Sequence, residues 1–185
     1  NALDLLYGLW EYSIKNAKAE AAELQKIMDR EGKGEKLEAW DWWYYAEKLR
    51  QEKYDLNEDA IKPYFSQEDV HDGLCTVVNK LYGITLTPCD SISVYNKDVK
   101  TYIVKDADGS LLGVFYSDYM PRASKRSGAW MSNFREQQEG VRPLIYNVAS
   151  FTKPAGDLPS LLTIDEARTM YHEFGHALHG LLTQC

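Results

Sequence analysis

Apolar residues recur with a helical period from the start of the chain. Leu5, Leu6, Leu9, Trp10, Ile14, Ala17, Ala21, Leu24 and Ile27 predict a helix over 3–30, stopped by Gly32 and Gly34. That Gly-Lys-Gly is a helix-ending turn and not a phosphate loop, since no strand precedes it and no GK[ST] follows. A second helix is predicted over 36–56, with Trp40, Trp42, Trp43, Tyr44, Tyr45, Ala46 and Leu49. Rings on both of its sides predict burial between neighbours, because a stacking platform would sit beside a basic groove and none is present. After Pro63, Ser66 with Asp69 forms an N-cap pair, Val70, Leu74, Val77, Val78 and Leu81 supply an apolar face, and Gly83 supplies the stop. His71 near the start of this helix has no obvious metal partner at helical spacing and is expected to be a surface or satisfied histidine.

Beyond Gly83 the period falls towards two. Ile84 and Leu86, Tyr102 and Val104, and Leu112, Val114 and Tyr116 predict short strands, with further strands over 129–134 and 143–150. Asp108-Gly109 between two of them marks a hairpin, since glycine accepts the positive φ of a tight turn. The Asp106-Ala107-Asp108-Gly109 run lacks the third ligand and final Glu of a calcium loop. A loop over 121–128 carries Arg122, Lys125 and Arg126, and the stretch 152–160, with Pro154, Gly156 and Pro159, is irregular. The expected fold class is α+β: one unit over 1–185, helical over 1–83, a small antiparallel sheet with loops over 84–160, and a final helix over 161–185.

That final helix carries the chemistry. Thr163 and Glu166 form a capping box, so a helix starts near Ile164. Within it, His172-Glu173-Phe174-Gly175-His176 is HExxH. Residues four apart lie about 6 Å along the axis and nearly on one face, so His172 and His176 can reach one Zn²⁺. Glu173 points roughly 100° aside, where it meets a water and takes its proton as general base. Gly175 in mid-helix is unfavourable by about 1 kcal/mol against Ala, which predicts a close neighbour there. His179 sits about 10 Å up the axis from His172, too far to share the ion, and is expected in a supporting or packing role. His179 and Leu182 also break the metzincin pattern. A catalytic zinc normally takes three protein ligands, so the third comes from elsewhere. The competing reading is a noncatalytic helical binding module with an incidental HExxH.

Composition narrows the partners. The 185 residues are 44% apolar and 26% charged, with net charge -7, which fits a globular domain and argues against nucleic acid. No apolar run approaches bilayer length and no segment resembles a signal peptide, so no membrane partner is expected. Cys75, Cys89 and Cys185 are odd in number without CxxC spacing. They suggest neither a disulfide framework nor a cysteine zinc site, and a reducing, cytoplasmic setting is expected, with export of a longer parent left open.

His-Glu-Phe-Gly-His-Ala-Leu-His-Gly over 172–180 resembles the active-site helix of the M3 zinc oligopeptidases, in particular the peptidyl-dipeptidase branch. Trp40-Asp-Trp-Trp-Tyr-Tyr-Ala-Glu-Lys, Tyr64-Phe-Ser, Leu81-Tyr-Gly, Tyr116-Ser-Asp, Ser127-Gly-Ala-Trp-Met-Ser-Asn-Phe and Tyr146-Asn-Val agree with it. The resemblance implies an internal stretch of a longer, mainly helical, zincin-like enzyme, with a small sheet beside the zinc helix and a channel admitting short peptides. It implies His172 and His176 as zinc ligands, Glu173 as base, and a third ligand and oxyanion tyrosines beyond residue 185. By the same resemblance, Ala129 and Trp130 are candidates to border the substrate channel, with sheet core as their alternative. Hydrolysis of short peptides is implied, releasing C-terminal dipeptides or cutting internal bonds. The loop at Arg122, Lys125 and Arg126 is the candidate reader of a free carboxylate. The stretch by itself is expected to be inactive.

Overall fold

The computed structural model describes residues 1–32, 34–55, 58–154, 156 and 158–184, the side chains of 58 and 59 excepted. Leu56 and Cys185, used in the sequence reading, lie outside the described residues. Chain contacts divide the protein into two units, Asn1–Ala60 and Ile61–Cys185.

The first unit pairs α1 (Ala2–Arg30) with α2 (Trp42–Tyr54). Its core is one short seam of Leu24, Ile27, Met28 and Tyr45, with Leu37, Trp42, Ala46 and Leu49 packed at its margin. Ion pairs Arg30–Glu52 and Lys53–Glu23 flank it. Two helices meeting along one seam cannot cover rings on opposite sides, which corrects the expected burial of the aromatic run. Trp40 and Trp43 are 80% and 82% exposed, Tyr44 is exposed as well, and Leu5, Leu6, Leu9 and Trp10 of α1 are likewise open.

The short α3 (Glu58–Ile61) ends at the boundary between the units, and the second unit continues with a 3-10 turn and α4 (Gln67–Tyr82). Ser66 caps α4 by accepting from the Asp69 amide, and Gly83 ends it at φ +74. The strands are β1 (Thr85–Pro88), β2 (Lys100–Lys105), β3 (Leu111–Asp118), β4 (Trp130–Arg135) and β5 (Leu144–Val148), followed by α5 (Ile164–Leu182). The β2–β3 hairpin forms at Asp108-Gly109, where Gly109 takes φ +85 in a connection longer than a two-residue turn. The Asp106 and Asp108 carboxylates accept from the Ala107 and Ser110 amides of that turn.

The sheet order is β1-β2-β3-β5-β4. It is mixed, which corrects the expected antiparallel sheet: β5 runs parallel to β3 and antiparallel to β4. The chain leaves β3, passes the place β5 will fill, builds β4 at the edge and returns through β5. Parallel neighbours need such a crossover. Among the described residues, no helix is long and apolar enough to cross a membrane.

Helices α4 and α5 cover the sheet over a core of Leu74, Val78, Ile84, Val104, Phe115 and Ile145. Ala167, Met170, Phe174, Ala177 and Leu181 are the buried residues of α5, spaced three and four apart. Phe174 meets Phe115 edge-to-face at 5.0 Å and 85°. The close approach of α5 to the sheet occurs at Gly180 and not at Gly175. A Cβ on Gly180 would stand 2.8 Å from Ile145 Cδ1, whereas nothing lies within 4 Å of one on Gly175. Gly113 of β3 is tighter still, because its Cβ would meet the Pro143 carbonyl oxygen at 2.7 Å.

Gly175→Ala should therefore raise stability by about 1 kcal/mol through helix propensity alone. Gly113→Ala should lower it by about 1–3 kcal/mol through overpacking. Urea denaturation followed by circular dichroism measures both, and equal signs for the two substitutions would contradict the packing.

Candidate active site

The apolar seam of α5 leaves the opposite arc of the helix open, and the HExxH side chains occupy that arc. Thr163 accepts from the Glu166 amide while Glu166 accepts from the Thr163 amide, so the box expected from the sequence starts the helix. One turn apart, His172 and His176 turn towards each other, with ring centroids 4.9 Å apart at 82°. Their Nε2 atoms are 3.2 Å apart.

That spacing tests whether the pair fits a zinc ion. Two nitrogens at 2.0 to 2.1 Å from one tetrahedral ion stand about 3.3 Å apart. The rings thus already converge as a shared cation requires, and both are exposed to it. Among the described residues no group of three His, Cys, Asp or Glu side chains is arranged to hold a metal. The pair by itself would fit as two of the donors such an ion takes.

Glu173 is half-buried and makes no hydrogen bond or ion pair among the described residues. Its carboxylate opens on a cleft of about 710 Å³ between α5 and the edge strand β4. Ala129 and Trp130 line this cleft together with Glu173, His176 and His179. The structure thus gathers residues that lie more than forty positions apart in the chain. His179 is exposed at the cleft wall, and its carbonyl accepts from Thr183. Sequence reasoning missed Glu136 and Gln137, which lie just past β4 and line the cleft together with Asn133 of that strand. Their signal was the strand itself: once 130–135 forms an edge beside α5, the residues following it must rim the opening.

The basic loop behaves differently from expectation. Asp118 at the end of β3 is 1% exposed. It accepts from both terminal nitrogens of Arg122 at 2.8 Å, from Lys125 Nζ at 2.9 Å and from the Tyr95 hydroxyl at 2.8 Å. Lys125 also donates to the Asp118 and Met120 carbonyls. Burial alone would raise the Asp118 pKa, but donation from Arg122, Lys125 and Tyr95 outweighs it and holds the carboxyl below its usual value. Arg122 and Lys125 are thus committed to Asp118 and are not free to read a substrate carboxylate. Arg126 has no carboxylate partner among the described residues, and its guanidinium lies 5.8 Å from the Trp130 ring.

Residues 1–185 match the pattern that defines peptidase family M3. A dipeptidyl carboxypeptidase of Salmonella typhimurium is 43% identical over 183 residues, covering 97% of this chain and 27% of that protein. The dipeptidyl carboxypeptidase of Escherichia coli is 40% identical over 99% of this chain and 27% of its own length. Oligopeptidase A of Escherichia coli is 34% identical over 98% of this chain and 28% of its own length. The chain spans about a quarter of the length of the curated relatives it matches.

Removing Asp118 should show what the loop network contributes. Asp118→Ala leaves the buried Lys125 ammonium without its countercharge and should lower stability by roughly 3–5 kcal/mol. Because the folded carboxyl pKa is depressed, its contribution is complete above the unfolded value of about 3.9 and is lost as pH falls through the folded value. Urea midpoints should separate wild type from variant at pH 7 and converge in strong acid. Midpoints that coincide at neutral pH would contradict this role for the network.

Proposed function

The chain belongs to peptidase family M3, and from that membership we propose that it carries the metal-binding helix and one substrate-binding edge of a zinc peptidase that removes dipeptides from the C-terminal end of short peptides. The observation that carries this reading is the 3.2 Å convergence of His172 and His176 Nε2, with His176 on the wall of the β4 cleft. The names of the relatives at 43% and 40% identity favour dipeptide release over internal cleavage.

In this reading His172 and His176 would hold zinc through their Nε2 atoms, with a third ligand supplied from outside this chain. Bound zinc supplies Lewis acidity to a peptide carbonyl. Glu173, beside the pair and open to the cleft, takes a proton from the attacking water onto its carboxylate. The outer edge of β4 offers unpaired backbone groups, so an extended peptide can add to the sheet there, with Ala129 and Trp130 at its entry. His179 closes the cleft wall beyond His176 and has a supporting role. Of the basic loop, Arg126 is the group left to face a peptide carboxylate. The zincin-like reading is supported by an edge strand beside a helix that bears two histidines one turn apart.

In a chain of the relatives' full length, Glu173→Gln should lower kcat by about 10²–10⁴ while zinc content stays at the wild-type level. Stopped assays on a blocked tetrapeptide, with elemental analysis, read both quantities. Unchanged turnover would favour the noncatalytic module. The 185-residue chain by itself, with two ligands, should release no measurable dipeptide, and chelator-sensitive release by it would overturn that expectation.

A further inference from the structure

A second cavity, of about 440 Å³, lies between the first half of α4 and the end of the sheet formed by β1, β2 and β3. It shares no lining residue with the cleft at α5. His71, expected at the surface or satisfied, is neither: it is 8% exposed and its Nε2 meets no partner. Gln67, 9% exposed, has an unpartnered Oε1, whereas the buried Tyr119 hydroxyl lies against the Asn147 side chain. Buried polar atoms are normally paired, so two unpaired ones on neighbouring turns of a helix that lines a cavity call for a partner that enters it.

Their chemistry indicates what they would take. Gln67 Oε1 only accepts. His71 Nδ1 lies 3.7 Å from Cys75 Sγ and 3.9 Å from the Asp72 carboxylate; in the tautomer whose proton faces that carboxylate, Nε2 is the acceptor. Burial holds the His71 pKa below its usual value, so the ring adds no positive charge. At the rim, Lys100 is paired with Glu68 at 3.0 Å, while Asp72 and Asp90 have no lysine or arginine partner among the described residues. Leu86 and the Tyr102 ring, stacked on His71 at 4.8 Å, give an apolar wall.

An anion would meet the two rim carboxylates, and among the described residues no third donor completes a metal site. Two acceptors under a negative rim suit a ligand rich in N–H groups. We propose that this cavity binds a small organic cation, an alkylguanidinium or alkylammonium, whose N–H groups donate to Gln67 Oε1 and His71 Nε2, whose chain lies on Leu86 and Tyr102, and whose charge faces Asp72 and Asp90. Guanidinium is the better fit, since its five donors lie in one plane.

The test uses this chain with ¹⁵N-labelled histidine, and n-butylguanidinium, n-butanol and butyrate as probes. Butylguanidinium should shift the His71 ring nitrogens saturably while leaving His172, His176 and His179 unmoved. The Asp72→Asn/Asp90→Asn double variant, altered only at the exposed rim, should bind it about tenfold more weakly, and Gln67→Leu should weaken it as well. Equal binding of butanol or butyrate, no saturable shift at His71, or full affinity in the double variant would each overturn the proposal. No hydrolysis is measured, so the outcome stands apart from the peptidase reading.

Discussion

Phe174 enters the core against Phe115, with Ala167, Met170, Ala177 and Leu181 beside it on α5. Burying a phenylalanine of this kind is worth several kcal/mol, enough to fix the rotation of a single helix on a sheet. Once that rotation is fixed, His172, Glu173 and His176 have one direction left to point. The residue between the paired histidines is thus an anchor: it sets their outward aim by facing inward itself. Gly180 lets the last turn of α5 settle on Ile145 and Met131, which keeps the helix close to β4 along the cleft.

The second constraint is the crossover. With β5 inserted between β3 and β4, the edge position falls to the strand bearing Trp130, and that strand borders the histidine helix. The segment leading to it is tied down by Asp118, which gathers Arg122, Lys125 and Tyr95 under the sheet end. Charges that resemble a substrate reader in the sequence are structural because a buried carboxylate has taken them. A charged residue's availability depends on the groups folded around it, and its presence in a loop does not reveal them.

Elsewhere the unit holds polar groups that packing leaves unmatched. Gln67 and His71 lie on α4 and face a cavity whose other wall comes from the sheet, so their isolation arises only when helix and sheet are assembled. The burial of His71 was not legible in the sequence, because it follows from which face of α4 meets the sheet. In the first unit the opposite holds: rings expected in a core are open, because two helices share a single seam.

Local rules were legible from the residues alone. The caps at Ser66 and Thr163, the stop at Gly83, the hairpin glycine and the one-turn spacing of His172 and His176 each depend on interactions within a few residues, so the sequence determined them. Strand order, the parallel β3–β5 pair, the neighbours of Gly175 and Gly180, the fate of Arg122 and Lys125, and the burial of His71 depend on segments far apart in the chain. Periodicity tells which face of an element is apolar. It does not tell which other face will cover it, and that choice belongs to the assembled structure.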